Sequence, residues 1–172
     1  MIKMIGAVLV LVSAYAIGCI LAFQVKEQER WLKDIKTTLF LLLGELEYRQ
    51  VPLPEALELI GRRHGGRLAA FFQVLSEELK KKEGISMKET WHSLAETALK
   101  DCPLSKEQKE EFAELGLYFT ESDKETRRNA LEFYLNRLEE DIVSLREKGA
   151  DKIYLFRTMG MLGGIFILIL VL

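Results

Sequence analysis

Charge is missing from both ends of this sequence. Met4 to Val25 is a run of 22 residues without Asp, Glu, Lys or Arg, and Thr158 to Leu172 is another of 15. Histidine is nearly absent, with His64 and His92 alone, and cysteine is limited to Cys19 and Cys102. Each shortage excludes something. Two isolated histidines, with no HExxH and no CxxC, leave no metal-ligand spacing. Two cysteines, one inside the first uncharged run and one outside it, make no disulfide framework. No Walker A or GxGxxG sequence occurs, so no recognisable nucleotide chemistry is encoded. Alternating runs rich in Val, Ile and Thr are also absent, which argues against strands. No catalytic, cofactor-binding or metal-binding residue is expected, and the chain reads as non-enzymatic.

The two uncharged runs point to the lipid bilayer. As a helix the first is ~33 Å long, enough to cross a hydrocarbon core. The second alone reaches ~22 Å. Ile153, Tyr154, Leu155 and Phe156 extend it to 20 residues if Arg157 snorkels to the headgroups. The expected organisation is a transmembrane anchor over 1–25, a soluble domain over 26–152 and a second transmembrane helix over 153–172. Ala16-Ile17-Gly18-Cys19 faintly resembles a lipoprotein cleavage box, but the apolar run continues six residues further. A signal h-region is ~7–15 residues, so an uncleaved anchor is expected. Lys26, Arg30, Lys33 and Lys36 follow the first run, and Arg146, Lys148, Lys152 and Arg157 precede the second. The positive-inside rule then puts the soluble domain in the cytoplasm and both termini across the membrane.

Small residues recur in both runs. Ala14, Gly18 and Ala22 are spaced by four, Gly160 and Gly164 form a GxxxG, and Gly163 is adjacent. Such stripes let helix backbones approach closely in lipid, with the partner either the other span or another protein. Between the runs, residues 26–157 hold all 26 Asp+Glu and all but one of the 24 Lys+Arg, a net of −3. A domain with this balance lacks the basic face that nucleic acid requires.

The soluble block reads as all helix. Leu32, Ile35, Leu39, Leu43 and Leu46 step by three or four along a helix running on from the first span. Val51-Pro52-Leu53-Pro54 should stop it, and Pro54 can open a second helix with Leu57 and Ile60 inward. Gly65-Gly66 ends that helix; Leu68, Phe71, Phe72, Leu75 and Leu79 mark a third, closed by Gly84. Ser86 and Ser105 each have capping-box spacing, before Trp91 and before Phe112 and Leu115. Asp123 reads as a plain N-cap of the last helix, whose stripe is Leu131, Leu135, Leu138, Ile142 and Leu145. The fold class is therefore all-α: an antiparallel cytoplasmic bundle of about six helices flanked by N- and C-terminal transmembrane helices.

Candidate polar sites are few. Arg62-Arg63-His64-Gly65-Gly66 has the composition of an anion site, but a basic helix end followed by a glycine stop explains it more simply. Glu45 and Glu47 are two apart and point to different faces, which removes paired acid–base work. With Tyr48 and Arg49 they form a polar, partly aromatic helix end beside a stiff proline turn, a composition found at partner interfaces and also at solvated helix ends.

The whole chain resembles the stage III sporulation protein AB family of endospore-forming bacteria. The features carrying this are Lys3-Met4-Ile5-Gly6-Ala7, Leu46-Glu47-Tyr48 followed by Pro52-Leu53, Leu115-Gly116 with Asp123 seven residues on, and the terminal Met159-Gly160-Met161-Leu162-Gly163-Gly164. Their order and spacing make the match fairly specific. Four residues after the aspartate the family pattern has glutamine; here that position is Arg127, and Cys19 also departs from the pattern. The resemblance implies a soluble domain like the helical F-domain of type II secretion platform proteins. It implies a place in a channel-like complex between mother cell and forespore, in the mother-cell or outer forespore membrane. The implied partners are a secretion-type hexameric ATPase and other sporulation channel membrane proteins; self-association into a homo-oligomer stays open.

The expected function is thus a membrane platform or adaptor that docks the ATPase to membrane subunits. Its rival is a two-span helical sensor with an extracytoplasmic domain. An enzyme with an unrecognised site is the weakest alternative, since nucleophile, metal set and cofactor motif are all missing.

Overall fold

A computed structural model describes the backbone of residues 2–64, 66–81, 86–120 and 124–171. Side chains are described throughout 22–64, 66–81, 86–120 and 124–147 and at a few further positions, Gly149 and Thr158 among them. Six α-helices account for these residues, and no strand occurs among them. They are α1 (Ile2–Glu47), α2 (Leu53–Arg63), α3 (Ala69–Lys81), α4 (Met87–Ala98), α5 (Lys106–Glu114) and α6 (Lys124–Val171). Two 3-10 turns, Gly66–Leu68 and Leu115–Leu117, precede α3 and follow α5. The chain divides into two compact units, Arg30–Ile142 and the pair Met1–Glu29 with Val143–Leu172.

The helix limits follow from local chemistry. Helix α1 closes around Gln50, which takes a left-handed φ of 51°, while the Val51 N–H donates back to Glu45 O at 3.2 Å. Pro52 is extended (φ −56°, ψ 146°) and Pro54 lies in the first turn of α2, where a missing N–H costs nothing. Ser86 Oγ accepts from the Glu89 N–H at 3.4 Å. Ser105 forms the full capping box: its Oγ accepts from the Gln108 N–H at 3.2 Å, and its own N–H donates to Gln108 Oε1 at 3.1 Å. Asp123, the expected cap of α6, lies outside the described residues.

Within the Arg30–Ile142 unit, α2 and α3 form an antiparallel hairpin. Ser76 Oγ donates to Pro54 O at 2.7 Å, Gln73 Nε2 donates to Gly61 O at 3.1 Å, and Lys80 pairs with Glu58. Lys80 and Arg62 hold the Glu58 carboxyl below its usual range, chiefly through the Lys80 hydrogen bond. Helices α1 and α6 also run antiparallel, linked by Lys36–Glu139 and Glu47–Arg127.

The expected apolar stripes form the core. Leu32, Ile35, Leu39, Leu57, Ile60 and Leu131 are all 0–1 % exposed. Leu79 and Leu145 are only half-buried, because each sits near the end of its stripe. The centre is aromatic. Phe71 meets Trp91 edge-on with centroids 5.0 Å apart, Phe119 stacks on the same indole at 5.0 Å, and Phe112 lies 5.5 Å away. The indole N–H donates to Phe112 O at 2.8 Å, so the largest buried ring carries no unsatisfied donor.

In the other unit, α1 and α6 approach closely. A Cβ on Gly149 would lie 2.7 Å from Val25 Cγ1, and Arg146 Nε donates to Glu29 Oε1 at 2.7 Å. Gly149 is thus a point where the two helices touch. Among the described residues no helix is long and apolar enough to cross a membrane. Most side chains of the two uncharged runs lie outside those residues.

Candidate functional site

The end of α1 carries the four residues expected at a partner interface, and the structure separates them into two groups. Arg49 Nη1 donates to both carboxylate oxygens of Glu45, each at 3.0 Å, one helical turn apart on the surface. Tyr48 projects almost wholly into solvent, 90 % exposed. Glu47 turns the other way. Its Oε1 lies 3.8 Å from Arg127 Nη2, with side-chain exposures of 20 % and 14 %. Glu47 Oε1 and Arg127 Nε are buried and make no hydrogen bond, so this ion pair is close but poorly aligned. Tyr48 and Arg49 therefore form an outward corner, braced by the mostly covered Glu45 carboxylate (side chain 17 % exposed), while Glu47 helps hold α6 against α1.

Two further surface features accompany this corner. Phe40, on α1, is 63 % exposed and lies eight positions before Tyr48. Between them lies Gly44, with nothing within 4 Å of where its Cβ would be. An open groove of about 380 Å³ between α5 and α6 is lined by Glu111, Tyr118, Phe133 and Arg137 among others. Phe133 is 72 % exposed at its rim, and Arg137 Nη2 pairs with Glu111 at 3.0 Å.

Among the described residues no group of three His, Cys, Asp or Glu could hold a metal ion. His92 Nδ1 lies 3.9 Å from Glu96 on an exposed turn, and His64 is the C-cap residue of α2. Arg62 pairs with Glu58 at 2.6 Å, in keeping with a basic helix end. Cys102 is 8 % exposed and its thiol donates to Leu99 O at 2.9 Å.

The small-residue stripes are described in part. Ala22 is half-buried; the side-chain positions of Ala14, Gly18, Gly160, Gly163 and Gly164 lie outside the described residues. Sequence reasoning missed Arg127 as the partner of Glu47, 80 positions away, because nothing local links them. Phe40 and Phe133 did carry a signal: each is a large apolar residue off the apolar stripe of its helix.

Comparison with known proteins covers nearly the full length. The family described as Stage III sporulation protein AB matches residues 3–172. A relative from Bacillus subtilis (strain 168), named Stage III sporulation protein AB, is 22% identical over 170 residues, covering 99% of each chain. No solved structure matches.

Proposed function

This chain belongs to the stage III sporulation protein AB family, and from that premise we propose that it is a non-enzymatic membrane platform of a sporulation-specific, secretion-like complex. The two uncharged runs anchor it in the mother-cell or outer forespore membrane as a two-pass protein. The helical domain between them lies in the cytoplasm, acts as an F-domain-like adaptor, and docks a secretion-type hexameric ATPase to the membrane subunits. The runs pack on those subunits through Ala14, Gly18, Ala22, Gly160, Gly163 and Gly164.

One observation carries the docking reading: Tyr48 stands 90 % exposed on a stiff corner, between the Glu45–Arg49 pair and the Gln50–Pro52 turn. A rigid aromatic beside an arginine is the pair of residue types that most often dominates binding energy at interfaces. Helix α1 and the extended Pro52 fix the corner before any partner arrives, which lowers the ordering cost of association.

The test is capture of the purified ATPase by the full-length chain in detergent. Tyr48→Ala with Arg49→Glu is expected to weaken capture about ten-fold or more. Undiminished capture removes this corner from the interface. No capture by the unaltered chain removes the docking role.

A further inference from the structure

We propose that the open groove between α5 and α6 is a receptor for an arginine side chain carried on an apolar segment of a partner protein. The groove lies wholly within the Arg30–Ile142 unit and shares no residue with the Tyr48 corner.

Helical spacing builds it. Glu111, Glu114 and Tyr118 step by three and four through α5 and the turn that follows it. On α6, Phe133 and Tyr134 share one side with Arg137, three to four positions further on. All six line the same groove of about 380 Å³, within the ~300–1,000 Å³ typical of ligand clefts.

Three features of this groove suit a cation. The first is charge. The ionised side chains lining it are Glu111, Glu114 and Arg137. Arg137 Nη2 pairs with Glu111 at 3.0 Å, whereas Glu114 is exposed and makes no ion pair among the described residues. One carboxylate is therefore left without a counter-charge. The second is the rings. Tyr118 and Phe133 are both exposed beside Glu114, and the face of an aromatic ring attracts a cation through its quadrupole. The third is Tyr134. It is only 7 % exposed, yet its phenol makes no hydrogen bond to any described residue. Burial, with Glu111 and Asp141 adding repulsion, keeps that phenol neutral. A neutral phenol oxygen accepts an N–H, and a donor entering the groove would satisfy it.

Arginine meets all three demands. Its guanidinium is planar, stacks on aromatic faces and spreads five N–H donors, enough for a carboxylate and a phenol together. A lysine ammonium is a compact, strongly hydrated charge and is harder to bring out of water. The Arg137–Glu111 pair shows that the wall already holds one guanidinium. The groove is open, so a side chain can enter while its own backbone stays outside. Aliphatic neighbours on the same segment would then cover Phe133, which lies off the apolar stripe of α6 and is left to solvent.

The test uses the full chain in zwitterionic nanodiscs, with empty discs as the blank. The probe is a tetramethylrhodamine-labelled peptide with a leucine–arginine–leucine core, compared by fluorescence anisotropy with the same peptide carrying citrulline, the neutral isostere. The arginine peptide should bind at least about five-fold more tightly. Glu114→Gln should erase that preference, and Phe133→Ala should weaken arginine binding about five-fold. Tyr134→Phe, which removes only the phenol oxygen, should cost about three-fold. Glu77→Gln makes the same charge change at an exposed position on α3 and should leave binding unaltered. Equal binding of the two peptides, or binding of neither, overturns the proposal. So does arginine binding that survives Glu114→Gln and Phe133→Ala together. If the chain alone sediments as a dimer that Phe133→Ala dissolves and the arginine peptide does not displace, the occupant is a second copy and the arginine receptor is overturned.

Discussion

A methyl group on Gly116 would lie 2.5 Å from Cβ of Trp91 and 2.7 Å from its Cγ. The turn Leu115–Leu117 is pressed against the central indole, whose N–H is held by Phe112 one turn earlier. Gly116→Ala is therefore expected to destabilise the domain by about 1–3 kcal/mol through overpacking. Gly44→Ala makes the same chemical change in open space on α1 and should stabilise it by about 0.5–1 kcal/mol. Thermal or urea denaturation of the two variants should move the midpoint in opposite directions. Shifts of the same sign would contradict the packing described here.

The Glu47–Arg127 pair predicts strong coupling. Removing either partner leaves a mostly buried charge without its counter-ion, so Glu47→Gln and Arg127→Gln should each cost about 1–3 kcal/mol. The double variant carries two neutral amides and should lose less than the sum, with a coupling of about 0.5–3 kcal/mol. A double-mutant cycle measured by chemical denaturation gives this number directly. Additive losses would mean that the two side chains do not meet in solution.

Tyr134 predicts an alkaline weakness. Burial, with Glu111 and Asp141 adding repulsion, raises its phenol well above the ordinary tyrosine value. The folded state keeps the phenol neutral where the unfolded chain would ionise it. The stabilisation is therefore fully present below pH ~10 and is lost as pH rises above that value. The melting temperature should fall through this range, and Tyr134→Phe should flatten the fall. An unchanged slope in Tyr134→Phe assigns the loss to other groups.

Burial of Cys102 governs how topology is measured. At 8 % exposure its thiol reacts slowly in either compartment, so the native cysteine is a poor reporter. Lys106→Cys, on a Cys19→Ala/Cys102→Ala background, replaces a side chain that is 90% exposed. A membrane-impermeant maleimide should leave it unlabelled in intact cells and label it on lysis. Labelling of intact cells would place the domain outside and favour the two-span sensor.

Punctuation was the most legible layer of this sequence. Pro52, Pro54, Gly66 and the two capping serines marked helix limits that the structure reproduces, because each acts through a dihedral angle or a hydrogen bond spanning only a few residues. The stripes through Leu39 and Leu138 were legible for the same reason: helical period is local. What the stripes did not disclose was assembly. Phe71, Trp91, Phe112 and Phe119 each looked like an inward aromatic or went unremarked, and only the fold brings them around one indole. The candidate corner was half legible. Tyr48 and Arg49 face outward as their type suggests, but Glu47 is turned inward by an arginine from α6 that helical spacing could not reveal.

Gln108 belongs to two structures at once. Its Oε1 closes the capping box of α5, while its Nε2 donates to Asp141 Oδ2 of α6 at 2.7 Å. One amide therefore makes the start of a nine-residue helix sensitive to the longest helix in the chain. If α6 shifts, the amide must release either the Ser105 N–H or the Asp141 carboxylate, and α5 frays from its first turn. Exchange of the Ser105 amide proton then becomes a local clock for α6, recording its motions through the first turn of α5.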